Sequence, residues 1–124
     1  YAYDAAGNET KRERELLAAE RIFELLPEDQ AKELRALWDE FEEGETAEAR
    51  FALSLDKIQP LLLNNASGGI SWKEHGVKLS QVLNRNASTG KGSQAMWEYS
   101  RELIEENVKK GLLIDDAGRP PLER

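Results

Sequence analysis

Residues 47–64, AEARFALSLDKIQPLLLN, are the stretch that decides the fold expected of this chain. Their large apolar side chains recur at spacings of four, three and four, which places them on one face of a helix: Phe51, Leu55, Ile58 and Leu62. Thr46 is a good N-cap, and the Ser67-Gly68-Gly69 cluster should end the helix near Asn65. The pattern therefore predicts one long amphipathic helix with this apolar face buried.

One acid, Asp56, lies at the edge of that face, about 100° round the helix from Leu55. Pro60 has no N–H to donate to the carbonyl of residue 56, so we expect a kink there and a carbonyl without its usual partner. Because an unpaired buried charge is costly, Asp56 should be at least partly buried with a Lys, an Arg, a backbone N–H or water as its partner. Asp56 is a candidate metal ligand or structural anchor. A partly exposed acid paired with a nearby Lys or Arg is the alternative, which spacing alone favours.

The rest of the chain also shows helical periodicity with short connections and no strand pattern, so we predict an all-α fold of about five helices. The first should run from about Glu9 to Leu26 with Asn8 as its N-cap, and the second from Pro27 until Gly44 ends it. The buried stripe of the second helix should comprise Leu34, Leu37, Trp38 and Phe41.

The C-terminal half should contain two further helices, at 77–86 and 93–110. Gly111 should be the C-cap of the last one. Residues 72–76 are expected to form a turn or a short helical piece, and residues 88–92, STGKG, a flexible loop. STGKG has neither the Gly-x-x-x-x-Gly-Lys-Ser/Thr spacing nor the preceding strand of a phosphate-binding loop. The polar, proline-containing end, 115–124, should fray.

Length and composition narrow the possible functions. A chain of 124 residues allows one domain, and its net charge of −7 argues against binding of a nucleic-acid polymer, which depends on Lys and Arg. The lack of cysteine excludes disulfides and thiolate metal sites. No apolar run approaches the roughly 18 residues of a membrane span, so we expect no membrane association. With no cysteine, a cytoplasmic location is the simplest expectation.

Three other residues could contribute to chemistry. His75, the only histidine, has no acid at helical spacing apart from the adjacent Glu74, so a loop histidine bonded to the backbone is the favoured interpretation. Lys11 and Arg12 should lie on a solvated helix face and pair with glutamates of the same helix. No cysteine and no serine in a nucleophile-elbow sequence is present, so nucleophilic catalysis has no support.

The segment around Asp56 resembles the late helix of HD-domain phosphohydrolases, a family that includes bacterial and animal 5′-deoxynucleotidases. The flanking stretches are similar to that family too: NETKREREL at 8–16, LLPEDQAKELRALWDEFEEGETAEARF at 25–51 and SWKEHGVKLSQVLNRNA at 71–87. The resemblance implies that Asp56 is the last aspartate of a site for a divalent metal, which could be Mn, Fe, Co, Ni, Zn or Mg. It further implies a nucleotide or similar phosphate monoester as substrate, a metal that activates water, and a homodimer.

The sequence departs from the family in the rest of the metal site. The family builds that site from a His, an adjacent His-Asp pair and the late Asp, and only a counterpart of the late Asp is present here. We therefore expect the C-terminal part of an HD-domain-like helical bundle, with residues 1–124 forming an incomplete domain that lacks its N-terminal helices and holds no metal alone. In an intact enzyme Lys11 or Arg12 would meet a phosphate. The alternative is a non-catalytic helical module that binds a protein partner.

Overall fold

The computed structural model of the chain describes Gly7 and residues 10–118, which fall into two compact units, one up to Glu45 and one from Thr46 onward. The first unit contains α1, Lys11–Phe23, and α2, Glu28–Glu43. The second contains α3, Ala47–Ala66; α4, Ile70–Glu74; α5, Leu79–Asn86; α6, Thr89–Gly92; and α7, Gln94–Lys109. The all-α class is confirmed, since extended pairing among the described residues is limited to an isolated bridge between Lys78 and Ile114. Of the helices in these ranges, none is both long and apolar enough to cross a membrane.

Helix α2 begins and ends where its local signals predicted. It starts directly after Pro27, whose φ of −53° suits a helix entry, and Glu28 and Asp29 lie at its positive N-terminal end. It ends at Gly44, which adopts a left-handed φ of 65° and donates its N–H to the carbonyl of Glu40. These bounds are set by residues at the helix ends, which is why a local pattern could predict them.

Helix α1 covers fewer residues of α2 than the sequence predicted. α2 contains no fully buried residue: Leu34 and Leu37 are exposed, and Trp38 and Phe41 are only partly covered. The ring of Phe23 on α1 lies 6.4 Å from that of Trp38, centroid to centroid. One neighbouring helix covers a single stripe of α2, so the prediction of a buried four-residue stripe was wrong.

Helix α1 also differs in its bounds from the predicted helix. It ends at Phe23, three residues before the predicted Leu26, because the backbone tightens into turns after Glu24. Its predicted start and N-cap, Glu9 and Asn8, lie outside the described residues.

The core of the second unit lies between α3 and the helices that follow it. Its buried apolar side chains are Ala49, Leu61, Trp72, Val77, Leu79, Val82, Leu103, Ile104 and Leu113. Hydroxyl caps fix the starts of its two longest helices, as predicted for Thr46: Thr46 Oγ1 accepts from the N–H of Ala49 at 3.2 Å, and Ser93 Oγ from that of Met96 at 3.2 Å. Gly111 follows α7 with the positive φ of 69° expected of a helix end.

Helix α3 packs through a different face from the one predicted. Its buried residues are Ala49, Ser54 and Leu61. In contrast, Phe51 is 47% exposed, Leu55 and Leu62 are also exposed, and Ile58 is partly covered. The described residues therefore do not bury this apolar face, which agrees with the expectation that the chain lacks the N-terminal helices that would cover it. Where α3 contacts α6, the approach is so close that only small side chains fit.

Residues 88–92, predicted to be a flexible loop, contain the short helix α6 instead. Thr89 is buried, and its carbonyl accepts a hydrogen bond from the hydroxyl of Ser54 at 2.7 Å. A methyl group at Gly92 would fall within 2.5 Å of the carbonyl carbon of Arg50 and would overlap the Ser54 hydroxyl. Glycine is therefore required at position 92 by the contact with α3. The loop prediction was wrong because glycines occur both in flexible loops and where two helices approach closely.

The segment after α7 is held in place, contrary to the predicted fraying from residue 115. Leu79 donates its N–H to the carbonyl of Ile114 at 2.8 Å, and Leu113 is buried. The carboxylate of Asp116 accepts the N–H of Ser80 at 3.0 Å and its hydroxyl at 2.5 Å. Asp116 thus caps α5 from 36 residues away, and the fraying prediction was wrong for this part of the tail. Residues 119–124 lie outside the described residues.

Candidate metal-ligand site

Asp56 lies in the middle of α3 with its carboxylate at the surface. Its side chain is 58% exposed, so Asp56 is the partly exposed acid that spacing alone favoured. The ammonium of Lys57 lies 3.7 Å from Asp56 Oδ2, which confirms the predicted lysine or arginine partner. Leu63, seven residues after Asp56 and on the same side of the helix, is also exposed.

The backbone around Asp56 is helical on both sides of Pro60. α3 continues without interruption from Ala47 to Ala66, and the carbonyl of Pro60 accepts a hydrogen bond from the Asn64 side chain at 3.0 Å. Proline has no N–H, so the carbonyl of Asp56 lacks its usual helical donor. The bend expected at this point stays a prediction.

A single carboxylate offers the hard oxygen donor that divalent cations prefer, but one donor does not make a metal site. Within Gly7 and residues 10–118, no group of three or more His, Cys, Asp or Glu side chains is placed to hold a metal ion. The described residues therefore do not fit a complete metal centre. The assignment of Asp56 as a ligand stays a prediction that needs donors from elsewhere.

His75 has the structural role that the sequence favoured. Its Nδ1 lies 2.8 Å from the carbonyl oxygen of Ser71, one turn earlier, and the residue caps the C-terminal end of α4. The ring thus satisfies a carbonyl at a helix end, which is an ordinary use of a polar side chain there.

Lys11 pairs with a glutamate of its own helix, as predicted, whereas the prediction of a same-helix partner was wrong for Arg12. Lys11 Nζ lies 3.3 Å from the carboxylate of Glu15, one turn on. Arg12 pairs instead with Glu42 of α2, at 2.5 Å, and its guanidinium lies 5.4 Å from the ring centre of Trp38. These ion pairs do not test whether Lys11 or Arg12 contacts a phosphate, so that role stays a prediction.

A cleft of about 270 Å³ lies between α1 and α2 in the first unit. Its wall is mostly apolar, with Ile22, Phe23 and Trp38 as the large side chains and Glu15 and Glu42 at its margin. Both carboxylates already have cationic partners from α1, so the cleft offers no uncommitted charge to a ligand.

The sequence did not single out Lys57, the residue in direct contact with the candidate ligand. A signal was present: Lys57 follows Ser54 by three residues and precedes Leu61 by four, so all three project from one side of α3. That side could be recognised as the buried one only after the close contact of α3 with α6 was known.

Comparison with known proteins places the chain in a family of helical domains. The family model described as an HD domain matches residues 1–97, most of the chain. The chain therefore belongs to the HD domain family.

Individual relatives agree with this assignment. The chain is 44% identical over 59 residues to the human 5'-deoxynucleotidase HDDC2 and 37% identical over 59 residues to the Xenopus laevis protein of that name. Each match covers 48% of this chain and 29% of the relative. A solved structure, described as a predicted metal-dependent phosphohydrolase from Magnetospirillum magnetotacticum, matches with a TM-score of 0.82 and 46% identity over 90% of this chain and 56% of that one. The matches thus span less than a third of these curated relatives.

Proposed function

We propose that this chain is part of a divalent-metal-dependent phosphohydrolase of the HD family that acts on a nucleotide or a similar small phosphate monoester. Asp56 would provide one oxygen ligand to the metal, which could be Mn, Fe, Co, Ni, Zn or Mg. The observation that carries this proposal is the exposed carboxylate of Asp56 at the centre of α3, in a family whose relatives are named as a nucleotidase and a metal-dependent phosphohydrolase.

We further propose that the chain forms the C-terminal part of an HD domain and that the remaining metal ligands lie outside the described residues. Support comes from the length of the relatives, of which the matches cover 29% in the human protein and 56% in the solved structure. It also comes from the exposed apolar side chains around Asp56, which further helices of the domain would cover. A His and a His-Asp pair in the gene upstream of this sequence would support the proposal.

The role of Asp56 can be tested with the full-length protein encoded by the gene. Calorimetric titration with Mn²⁺ should show binding that is lost in Asp56→Asn, because the amide lacks the negative charge that holds a divalent cation. Asp39→Asn is the matched control, since Asp39 is also a surface aspartate in an ion pair, with Arg35 at 3.1 Å. Full Mn²⁺ affinity in Asp56→Asn, with unchanged helical content, would show that Asp56 is not a ligand.

A second candidate function is a non-catalytic helical module that associates with another protein. Its support is the apolar surface of α3, where Phe51, Leu55, Leu62 and Leu63 are all exposed. A large exposed apolar patch is unusual on a monomer, so we expect this chain to self-associate, most simply as a homodimer. Sedimentation at micromolar concentration tests this: a clean monomer without dye-binding apolar surface would argue against both the module and an incomplete domain.

A further inference from the structure

The side chain of Trp38 on α2 contacts two arginines, one from each helix of the first unit. The guanidinium carbon of Arg12, on α1, lies 5.4 Å from the ring centre, and that of Arg35, on α2, lies 5.2 Å from it. Both distances are within the roughly 6 Å over which a cation is attracted to an aromatic face. Trp38 is therefore held by charged groups of both helices as well as by the apolar ring of Phe23.

Each of these arginines is bound by a carboxylate of α2. Arg12 Nη1 donates to Glu42 Oε2 at 2.5 Å across the two helices. Arg35 Nε lies 3.1 and 3.2 Å from the two carboxylate oxygens of Asp39, one turn on in the same helix. Hydrogen bonds between ionised groups are stronger than those between neutral groups, so the carboxylates fix where the guanidinium groups lie. Among these contacts, those of Arg12 cross from α1 to α2, and we call Arg12, Trp38 and Glu42 the ionic lock of the first unit.

Apolar burial contributes little to the contact between α1 and α2. Ala19 is the one buried side chain among the described residues of the first unit, whereas the second unit has the apolar core described above. Large apolar side chains of both helices are exposed instead: Leu17, Ile22, Leu34 and Leu37. Since the hydrophobic effect follows the apolar area removed from water, the free energy that keeps this helix pair together depends more on charged contacts than it does in the second unit.

We propose that the ionic lock makes the α1–α2 pair a salt-sensitive conformational element, which opens locally as the ionic strength rises while the second unit stays folded. The Arg12 side chain is 54% exposed, so dissolved ions reach the lock. Salt shortens the range of interactions between exposed charges from about 30 Å at 0.01 M to about 3 Å at 1 M. Local opening of a segment with few buried apolar contacts needs less free energy than unfolding of the whole chain.

The direction of the salt effect distinguishes this lock from a helix pair held by apolar contact. Contact between Phe23 and Trp38 is not weakened by screening, and strongly hydrated salts favour apolar burial. Opening of the lock uncovers the cleft between α1 and α2, whose large side chains are Ile22, Phe23 and Trp38. The ionic lock does not depend on the function proposed above, because it involves neither Asp56 nor a metal.

The test is amide hydrogen exchange of the 124-residue chain, measured by mass spectrometry at constant pH in low salt, about 0.01 M NaCl, and in high salt, about 1 M NaCl. Amides of α1 and α2 should exchange about fivefold faster or more in high salt, which corresponds to loss of one cation–π contact and one exposed ion pair. Amides of α7 in the second unit should keep their exchange rates and serve as the internal reference.

Two variants test whether Arg12 carries the salt effect. Arg12→Met keeps an aliphatic stem and removes the charge, so its α1 and α2 should exchange in low salt as fast as those of wild type in high salt. Lys11→Met is the matched control, because Lys11 is the neighbouring cation and pairs within α1, with Glu15 at 3.3 Å; it should match wild type in both salts. Exchange of α1 and α2 that is unchanged or slower in high salt, or equal effects of the two variants, would overturn the ionic lock. Equal acceleration of α7 in Arg12→Met would also overturn it, since the helix pair would then not open separately.

Discussion

Replacing Gly92 by alanine should open the contact between α6 and α3 that organises the second unit. The new methyl group would lie within 2.5 Å of the carbonyl carbon of Arg50. Carbon atoms in contact are normally about 3.5–4.0 Å apart, so the two helices must separate by roughly 1 Å. The same movement stretches the 2.7 Å hydrogen bond from the Ser54 hydroxyl to the Thr89 carbonyl, both of which are buried.

The expected loss follows from these two effects. Overpacking of a well-packed interior costs about 1–3 kcal/mol, and loss of a buried hydrogen bond costs about 1–3 kcal/mol. Because one displacement causes both, they do not add fully, and the better helix propensity of alanine returns up to about 1 kcal/mol. We expect the free energy of unfolding to fall by about 2–4 kcal/mol, which lowers the thermal midpoint of a unit of this size by roughly 10 °C or more.

Gly90→Ala is the matched control in the same short helix. Its methyl group would lie 3.3 Å from a side-chain carbon of Trp97, a contact that a small side-chain adjustment relieves. Its free energy of unfolding should change by less than about 1 kcal/mol, near the propensity difference between the residues. Urea unfolding followed by far-UV circular dichroism measures both variants. Equal effects for Gly92→Ala and Gly90→Ala would show that α6 does not lie against α3 in solution.

Two further predictions concern the tail and the activity of the chain. The hydrogen bond from the Ser80 side chain, followed by that from the Ser80 N–H, lowers the pKa of Asp116 below its usual value. A lowered pKa stabilises the fold above the unfolded value of about 3.9, and this is lost as the pH falls through the folded value. The thermal midpoint of Asp116→Ala should therefore lie below that of wild type at neutral pH and converge with it in acid, while Asp115→Ala should have the smaller effect. The 124-residue chain alone should show little or no phosphatase activity, because Asp56 alone cannot hold a metal ion; steady, chelator-sensitive turnover of a nucleoside monophosphate would contradict this.

The parts of the fold that the sequence predicted are those encoded locally. Thr46 caps the residue three positions on, and Gly44 ends α2 through its own positive φ, so neither signal depends on distant residues. The family resemblance, carried by long collinear stretches, was confirmed by the match of the HD domain over residues 1–97. Helix ends that depend on nearby residues, and similarity to the family along the chain, could therefore both be recognised from the sequence alone.

The predictions that were wrong concern features that depend on contacts between residues far apart in the sequence. Ser54 and the carbonyl of Thr89 are 35 residues apart, and the sequence around either residue does not predict their hydrogen bond. Hydrophobic periodicity identified an apolar face on α3, but small residues form the close contact with α6 and leave that face exposed. The cap that Asp116 provides to α5 was missed for the same reason. A polar tail has the same composition whether or not one of its aspartates caps a distant helix.

Leu63 and the carboxylate of Asp56 are both exposed on one side of α3, and they bear together on function. Leu63 is 60% exposed and lies seven residues after Asp56, so any partner or helix that covers Leu63 also approaches the carboxylate. A purely apolar cover would strip water from a charged group and needs compensating positive charge nearby. Lys57 supplies one such charge at 3.7 Å, and a bound divalent cation would supply more. Covering Leu63 should therefore strengthen cation binding at Asp56, a consequence of the proposed metal site that a titration with Mn²⁺ can test.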